Sequence, residues 1–195
     1  MKPSLNQHFQ TIARHCLPAL LALAVGLAHA EKADSDKPTN IEADQGTADD
    51  VKQIRTLTGN VVLTKGTLTM KAGRAVVTED PQGYQFVTFW AAPGVLANFR
   101  QKRDGPGDLW VEGWAERVEY DNKTEIVKLF SKAKLVRSDG GKPTDDVEGA
   151  FISYESRKEV FEVHNQNTGA SKPGAGRVKM VIQPSNKSAA PAPLK

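Results

Sequence analysis

The histidines and the cysteine of this 195-residue chain lie almost entirely in its first thirty residues. His8, His15, His29 and Cys16 fall in a segment with the pattern of a cleaved export signal. His164 is then the only imidazole left, which is too few for a Cys/His or multi-histidine zinc site. A Ser-His-Asp triad would have to use His164, and the sequence contains no G-x-S-x-G nucleophile motif. The sequence therefore predicts no catalytic centre, no metal site and no cofactor.

Adjacent carboxylates occur at Asp49-Asp50, Glu79-Asp80 and Asp145-Asp146, each among turn-forming residues. Solvated turn acids are the simplest interpretation, because a glycosidase needs two carboxyl groups that face each other across a cleft. The glycine-rich stretch "RDGPGD" at 103–108 lacks the Lys-Ser/Thr ending of a phosphate-binding loop. We therefore expect that this chain is not an enzyme.

The first thirty residues have the three parts of a secretory signal peptide. Lys2 and Arg14 are basic, "CLPALLALAVGLA" is a short apolar run, and Ala28-His29-Ala30 gives the small-x-small cleavage pattern. The apolar run is shorter than the roughly 20 residues that span a bilayer. An uncleaved membrane anchor is the alternative. We expect cleavage after Ala30, export to the periplasm, and a mature chain that contains no disulfide.

Removal of Lys2 and Arg14 leaves 24 of the 26 basic residues against 23 acidic ones. This near balance does not favour nucleic acid as a partner, because nucleic-acid binding normally leaves a clustered basic footprint. The last residues form a Pro/Ala/Ser/Lys tail that predicts disorder. The predicted organisation is a cleaved signal at 1–30, a single β-domain at 31–183 and a disordered tail at 184–195.

Between these limits, apolar and polar residues alternate in short runs separated by turn residues, which is typical of antiparallel β-strands. Lys65-Gly66 fits a two-residue hairpin turn. The stretch "VEYDNKTEIVKL" at 118–129 aligns without gaps with "ISYESRKEVFEV" at 152–163, so one hairpin unit recurs after 34 residues. Chance similarity of composition is the alternative explanation of this repeat. The pattern predicts an all-β protein built from antiparallel hairpins.

Successive side chains of a strand face opposite sides, so each predicted strand has one apolar and one polar face. Two sheets must then pack together, or one sheet must roll over on itself. The enclosed space is either an ordinary core or an apolar trough, and composition does not separate the two. The alternation nominates the following inward residues: Thr39, Ile41, Val61, Leu63, Leu68, Met70, Val76, Phe99, Val118, Tyr120, Leu129, Ile152 and Tyr154.

Three segments occur in a fixed order behind the export signal: "PTNIEADQ", "TLTGNVVLTKGTLTMKAGRAVV" and "VEGWAERVEYD". They resemble the signature segments of the LptA (OstA-like) family of periplasmic lipopolysaccharide-transport proteins. The resemblance extends from Lys37 to Pro184. The aromatic-rich centre "YQFVTFWAAPGVLANF" and the long first turn "QGTADDVKQIR" depart from the family pattern, which leaves the strand register there open.

The resemblance implies a twisted, slightly open β-jellyroll with an apolar interior. It implies binding of the lipid A part of lipopolysaccharide and its movement from the inner to the outer membrane. Thr39, Ile41, Phe99 and Tyr120 lie in matching segments, so the resemblance assigns them most directly to the lipid lining. The implied partners are lipopolysaccharide and the jellyroll domains of an inner-membrane LptC-like and an outer-membrane LptD-like protein.

Strand-like alternation continues to both ends of the predicted domain, at Thr39–Asp44 and Arg177–Gln183. An unpaired edge strand can pair with another chain, and a head-to-tail contact between unlike ends does not close. We therefore expect a head-to-tail homo-oligomer, with the same edges available to the jellyroll partners.

Several assignments keep a competing interpretation. Each lining residue has an alternative role in plain core packing. Arg100, Lys102 and Arg103 are candidates to meet lipid phosphates at the rim, whereas a solvated turn is the simpler interpretation. The alternative functions are a membrane-tethered LptC-like component and an exported carbohydrate-binding sandwich. The latter would use three aromatic stacking platforms: Trp90, Trp110 and Trp114.

Overall fold

The computed structural model describes residues 34–184. The predicted signal peptide, its cleavage after Ala30 and all of the predicted tail beyond Pro184 lie outside the described residues. Within residues 34–184, no helix is long and apolar enough to cross a membrane. The described chain forms twelve antiparallel strands and one 3-10 turn, which confirms the predicted all-β class. The strands are β1 (Asn40–Glu42), β2 (Gln45–Asp49), β3 (Ile54–Lys65), β4 (Leu68–Glu79), β5 (Gln85–Trp90), β6 (Ala97–Lys102), β7 (Leu109–Ala115), β8 (Arg117–Asp121), β9 (Ile126–Asp139), β10 (Lys142–Glu155), β11 (Val160–His164) and β12 (Lys179–Ile182), with the 3-10 turn at Ser156–Lys158.

Two layers arise because β3, β4, β9 and β10 are long enough to bend and to pair with different neighbours in each half. The first layer runs in the order β1, the second half of β3, the first half of β4, β6, β7, the second half of β9, the first half of β10 and β12. The second layer runs in the order β2, the first half of β3, the second half of β4, β5, β8, the first half of β9, the second half of β10 and β11. This is the predicted β-jellyroll, formed from antiparallel hairpins.

The bends lie along one side of the jellyroll and the hairpin turns along the other. Gly59 and Asn60 bend β3 with φ angles of 80° and 45°, and Ser131 and Lys132 bend β9 at 61° and 53°. At Gly73 in β4, a Cβ atom would lie 2.9 Å from the Cα of Ala92, so only glycine fits there without displacing backbone. Such irregularities let one strand leave a sheet and enter another.

The opposite side of the jellyroll is called the mouth here. It is formed by the turns and loops at residues 65–67, 102–109, 121–126 and 155–160, of which the first two belong to the first layer and the last two to the second. These turns lie at the strand ends that are farthest from the bends, and an ion pair between Arg103 and Glu159 brings the loop at 102–109 against the one at 155–160.

The bend in β4 overturns one predicted inward residue. Leu68 and Met70 are buried before the bend, and Ala75 and Val77 are buried after it, so the alternation restarts one residue later. Val76 is therefore half-buried on the other face of the strand and not inward as predicted. A strict two-residue count fails here because an irregularity of one residue moves all later side chains to the opposite face.

Strand β2 also differs from the prediction, because "QGTAD" lies within the segment interpreted as a long first turn. It pairs with the first half of β3, from Gln45 opposite Thr58 to Asp49 opposite Ile54. Four of its five residues are exposed. An edge strand with little core contact has no need of apolar alternation, so the sequence carries no strand signal here.

The core lies between the layers and is closely packed. The Phe99 ring of the first layer stacks on the Tyr154 ring of the second, with 6.3 Å between ring centroids. Gly113, opposite Phe99 in β7, leaves room for that ring, because a Cβ atom would lie 2.3 Å from Cε1 of Phe99 and 2.9 Å from Cδ1 of Leu129.

This packing predicts that Gly113→Ala destabilises the fold by about 1–3 kcal/mol, because neither Phe99 nor Leu129 has space to move. The free energy of unfolding from urea titration followed by circular dichroism measures the effect. Gly46→Ala in β2 is the matched control, since a Cβ atom there would lie an ordinary 3.6 Å from Leu57. We expect the control to stay within about 0.5 kcal/mol of wild type. Equal unfolding free energies for the two variants would contradict the packing around Gly113.

Candidate functional site

The space between the layers gathers most of the predicted lining residues into one cluster. Ten of them are buried there: Val61, Leu63, Leu68, Met70, Phe99, Val118, Tyr120, Leu129, Ile152 and Tyr154. Both layers and six strands contribute, so residues far apart in sequence meet in one apolar interior. Their role in lipid binding stays a prediction, because burial is equally expected of a core residue.

The remaining three predicted residues lie elsewhere. Ile41 of β1 is half-buried and packs against the edge of the cluster, opposite Leu63 in the pairing of β1 with β3. Thr39 precedes β1 and is half-buried. Val76 faces away from the interior, as described above.

Sequence reasoning missed several inward residues from the centre of the chain. They are Ala75, Val77, Val87, Phe89, Val111, Val127, Leu135 and Val147, all buried in the same cluster. The signal was present in part: Val87 and Phe89 alternate within "QFVTFW". The sequence alone does not show which face of this strand is inward. That face is set by the pairing of β5 with the second half of β4, which begins after the bend at Gly73.

Two cavities of about 280 Å³ each lie beside this interior. One is apolar, lies at the bends of β3 and β4, and is lined by Asn60, Val61, Val62, Lys71, Ala72, Ala92, Val95, Leu96 and Asn98. The other lies at turns of the second layer and is lined by Thr78, Glu79, Asp80, Tyr84, Gln85, Phe86, Asp121 and Lys123. In this conformation the inward side chains themselves fill the centre, so a long ligand requires the layers to move apart.

Polar side chains end the inward rows of the first layer at the mouth. Lys65 ends β3 and Gln101 lies near the end of β6, and both are buried, at 5% and 6% exposure. Asp34 is buried beside them. Its carboxylate accepts hydrogen bonds from the backbone N–H of Thr67 at 2.8 Å, from the Thr67 hydroxyl, and from the Gln101 amide at 3.5 Å.

An ion pair joins the two layers across the mouth. Nη2 of Arg103, which follows β6 in the first layer, lies 2.5 Å from Oε2 of Glu159, which follows the 3-10 turn of the second layer. The Arg103 side chain is only 13% exposed, so the interpretation of Arg103 as a solvated turn residue is wrong. A second contact between the layers places the guanidinium of Arg137 5.0 Å from the centre of the Phe161 ring.

The second layer contributes a phenol and a carboxylate to the same mouth. Tyr120 is buried, and this burial, followed by the negative charges of Glu125 and Asp34, raises the pKa of Tyr120 well above its ordinary value. The Tyr120 phenol is thus a neutral, buried group at the entrance. Glu125 is buried and pairs with Nε of Arg157 at 3.2 Å. The site is thus an apolar interior with a polar, partly charged entrance, which suits an amphiphilic ligand.

Within residues 34–184, the strands at the two ends of the jellyroll have one edge without a pairing partner. β1 and β2 form the N-terminal edge, and β11 and β12 form the C-terminal edge. All four residues of β12 are exposed, including Met180 at 45% and Ile182 at 68%. An exposed apolar edge strand readily pairs with another chain.

Comparison with known proteins identifies relatives of this chain. Residues 40–160 match the family described as LptA/(LptD N-terminal domain) LPS transport protein. The lipopolysaccharide export system protein LptA of Haemophilus influenzae is 31% identical over 167 residues, covering 86% of this chain and 89% of the relative. LptA of Escherichia coli strain K12 is 31% identical over 145 residues, covering 73% of this chain and 74% of the relative.

The fold also has a counterpart among solved structures. The crystal structure of LptH from Pseudomonas aeruginosa, titled as the LptA homologous periplasmic component of the lipopolysaccharide transport device, superposes with a TM-score of 0.65 at 24% identity. The match covers 77% of this chain and 99% of that one. Together with the sequence matches, it leads to one assignment: this chain belongs to the LptA/(LptD N-terminal domain) family of LPS transport proteins.

Proposed function

We propose that this chain is a periplasmic carrier that binds lipopolysaccharide and moves it from the inner to the outer membrane without chemical change. The acyl chains of lipid A would lie between the two layers, and the sugars would stay outside the mouth. The observation that supports this most is the single apolar cluster that spans both layers and ends at a polar mouth. The relatives named above are lipopolysaccharide export proteins, which favours the same cargo for this chain.

The energetics explain why such a carrier needs an apolar interior. Each buried methylene group is stabilised by about 0.8 kcal/mol, so a twelve-carbon chain exposed to water costs on the order of 10 kcal/mol. A protein that covers the chain offsets this cost without forming a covalent bond. The family's members are transport proteins, which agrees with the expectation that this chain is not an enzyme.

The free edges support the proposed partners. Pairing of β12 of one molecule with β1 of the next, and of β11 with β2, would extend both layers and continue the apolar interior from molecule to molecule. The same edges would receive an LptC-like jellyroll on one side and an LptD-like jellyroll on the other. The homo-oligomer and the complexes with these partners would thus form through the same kind of contact, which is edge-to-edge strand pairing.

The carbohydrate-binding alternative is less favoured, because arginine side chains cover two of the tryptophan rings that it would need for sugar stacking. The guanidinium of Arg100 lies 4.1 Å from the centre of the Trp110 ring, and that of Arg74 lies 4.6 Å from the Trp90 ring. Each arginine covers a face on which a sugar would stack. The membrane-tethered alternative depends on residues outside the described range, and the mass of the mature N-terminus distinguishes it from cleavage after Ala30.

The proposed lining predicts where lipopolysaccharide can be crosslinked. A photoreactive amino acid at Phe99 or Ile41 should give lipopolysaccharide adducts in cells, since both side chains belong to or border the apolar cluster. The same amino acid at Val76 or Lys128 should give only background, because these side chains face outward on the strands β4 and β9. Immunoblots for the shifted adduct measure the yield. Equal yields at all four positions would contradict a lining between the layers.

The proposed head-to-tail contact predicts that removal of 177–195 abolishes self-association at high protein concentration, because β12 supplies the C-terminal edge. Sedimentation velocity over a concentration series measures it, and removal of 185–195 alone, which retains β12, is the matched control. Lipopolysaccharide binding should survive in the shorter protein, since the β12 side chains are exposed. Unchanged association after loss of β12 would rule out this edge as the contact.

A further inference from the structure

The segment at residues 34–39 lies ahead of β1 and reaches the mouth; it is called the strap here. Asp34 is the first of these residues and is 5% exposed, whereas residues 36–38 are exposed. The Asp34 carboxylate accepts hydrogen bonds from the backbone N–H of Thr67 at 2.8 Å, from the Thr67 hydroxyl, and from the Gln101 amide at 3.5 Å. Asp34 thus anchors the strap to the turn between β3 and β4 and to β6.

The turn between β3 and β4 leaves room for this carboxylate. Gly66 has a φ of 58°, and a Cβ atom at this position would overlap Oδ1 of Asp34. Glycine therefore serves both the left-handed turn and the close approach of the strap. The Thr67 hydroxyl also accepts a hydrogen bond from the backbone N–H of Lys102 at 3.2 Å. One hydroxyl thus joins the strap, the turn and the end of β6.

The Asp34 carboxylate lies between the two layers. Gln101, which donates to it, belongs to the inward row of β6 and is itself buried. Tyr120 is an inward residue of β8 in the opposite layer. Burial and the charge of Glu125, followed by the negative charge of Asp34, raise the pKa of Tyr120, so Asp34 acts on both layers. A ligand that leaves the interior at this part of the mouth must take the place that Asp34 occupies.

The strap can leave the mouth while the sheet stays intact. The pairing of β1 with β3 begins at Asn40 opposite Thr64, beyond the strap. The hydrogen bond from the backbone N–H of Lys37 to the carbonyl of Asp34, at 3.1 Å, lies within the strap. Departure therefore breaks the side-chain hydrogen bonds of Asp34 and leaves β1 in the first layer. Water replaces these bonds once the mouth is open, so the net cost of departure is small.

We propose that the strap is an autoinhibitory segment that closes the mouth of the empty protein, with Asp34 as its anchor, and that lipopolysaccharide displaces it. This inference rests on the proposed function, because lipid A is the ligand that would enter. The phosphate groups of lipid A have the same sign of charge as the Asp34 carboxylate, and like charges repel strongly where water is partly excluded. Burial of the acyl chains also stabilises the loaded state more than the hydrogen bonds of one carboxylate stabilise the empty one.

The dissociation constant for lipopolysaccharide labelled on its sugars, from fluorescence anisotropy with the mature protein, measures this competition. Asp34→Ala removes the anchor, so the dissociation constant should fall about three- to tenfold relative to wild type. Asp36→Ala removes an exposed carboxylate of the same strap and is the matched control, which should bind as wild type does. An unchanged or higher dissociation constant for Asp34→Ala would overturn the autoinhibition.

Thr67→Val tests the same contact from the side of the turn. It removes the hydroxyl that donates to Asp34, so binding should again become tighter. The double variant with Asp34→Ala should bind no more tightly than Asp34→Ala alone, because both changes release one contact. Additive effects would instead show that Thr67 acts independently of the strap, and would rule out their contact as the cause. Circular dichroism establishes that each variant retains its fold.

Amide hydrogen exchange follows the strap directly. In the empty protein the N–H of Thr67 is bonded to Asp34 and that of Lys37 is bonded within the strap. Saturating lipopolysaccharide should speed exchange at both amides while it slows exchange in the buried strands. Unchanged or slower exchange at both amides, with lipopolysaccharide bound, would contradict the displacement and leave the proposed function standing. Failure of the wild-type protein to bind lipopolysaccharide at all would overturn the proposed function and the strap's ligand with it.

Discussion

Four bent strands determine the architecture. β3, β4, β9 and β10 each run through both layers, so the layers share a backbone along the bends and are joined at the mouth by side chains. The layers are therefore joined by continuous backbone along the bends and by side-chain contacts at the mouth. The described part of the chain contains no disulfide. The two layers are therefore held against each other mainly by the buried apolar cluster between them.

The same geometry determines where polar side chains lie in the interior. The inward rows begin at the bends, where the two layers share their backbone, and end at the mouth, where polar side chains lie. Lys65, Gln101 and Arg103 occupy these row ends, directly beyond apolar residues such as Phe99. An apolar row that ends in polar side chains suits an amphiphilic ligand, whose tails would lie along the row and whose polar head would stay outside.

Much of this fold follows from the sequence, and its failures have physical causes. Alternation placed Leu68 and Met70 correctly, because that half of β4 is regular; it failed at Val76, where a bend shifts the alternation by one residue. β2 gave no signal because an exposed edge needs no apolar face. The pairing of Arg103 with Glu159, 56 residues apart, depends on which turns the topology brings together, and no local pattern reports it. The prediction that lipopolysaccharide is the ligand came from the family resemblance, because strand alternation does not distinguish a binding trough from an ordinary core.

A filled interior is compatible with a lipid carrier when the free energies of both states are compared. Opening the empty mouth exposes the apolar faces of both layers at about 25 cal/mol per Å², and it separates contacts such as that of Phe99 with Tyr154. Acyl chains that enter cover the same surface again, so the cost of opening applies only to the empty protein. Under the proposed function, the empty carrier would close over its apolar interior, and the loaded one would stay open because the acyl chains cover the exposed surface.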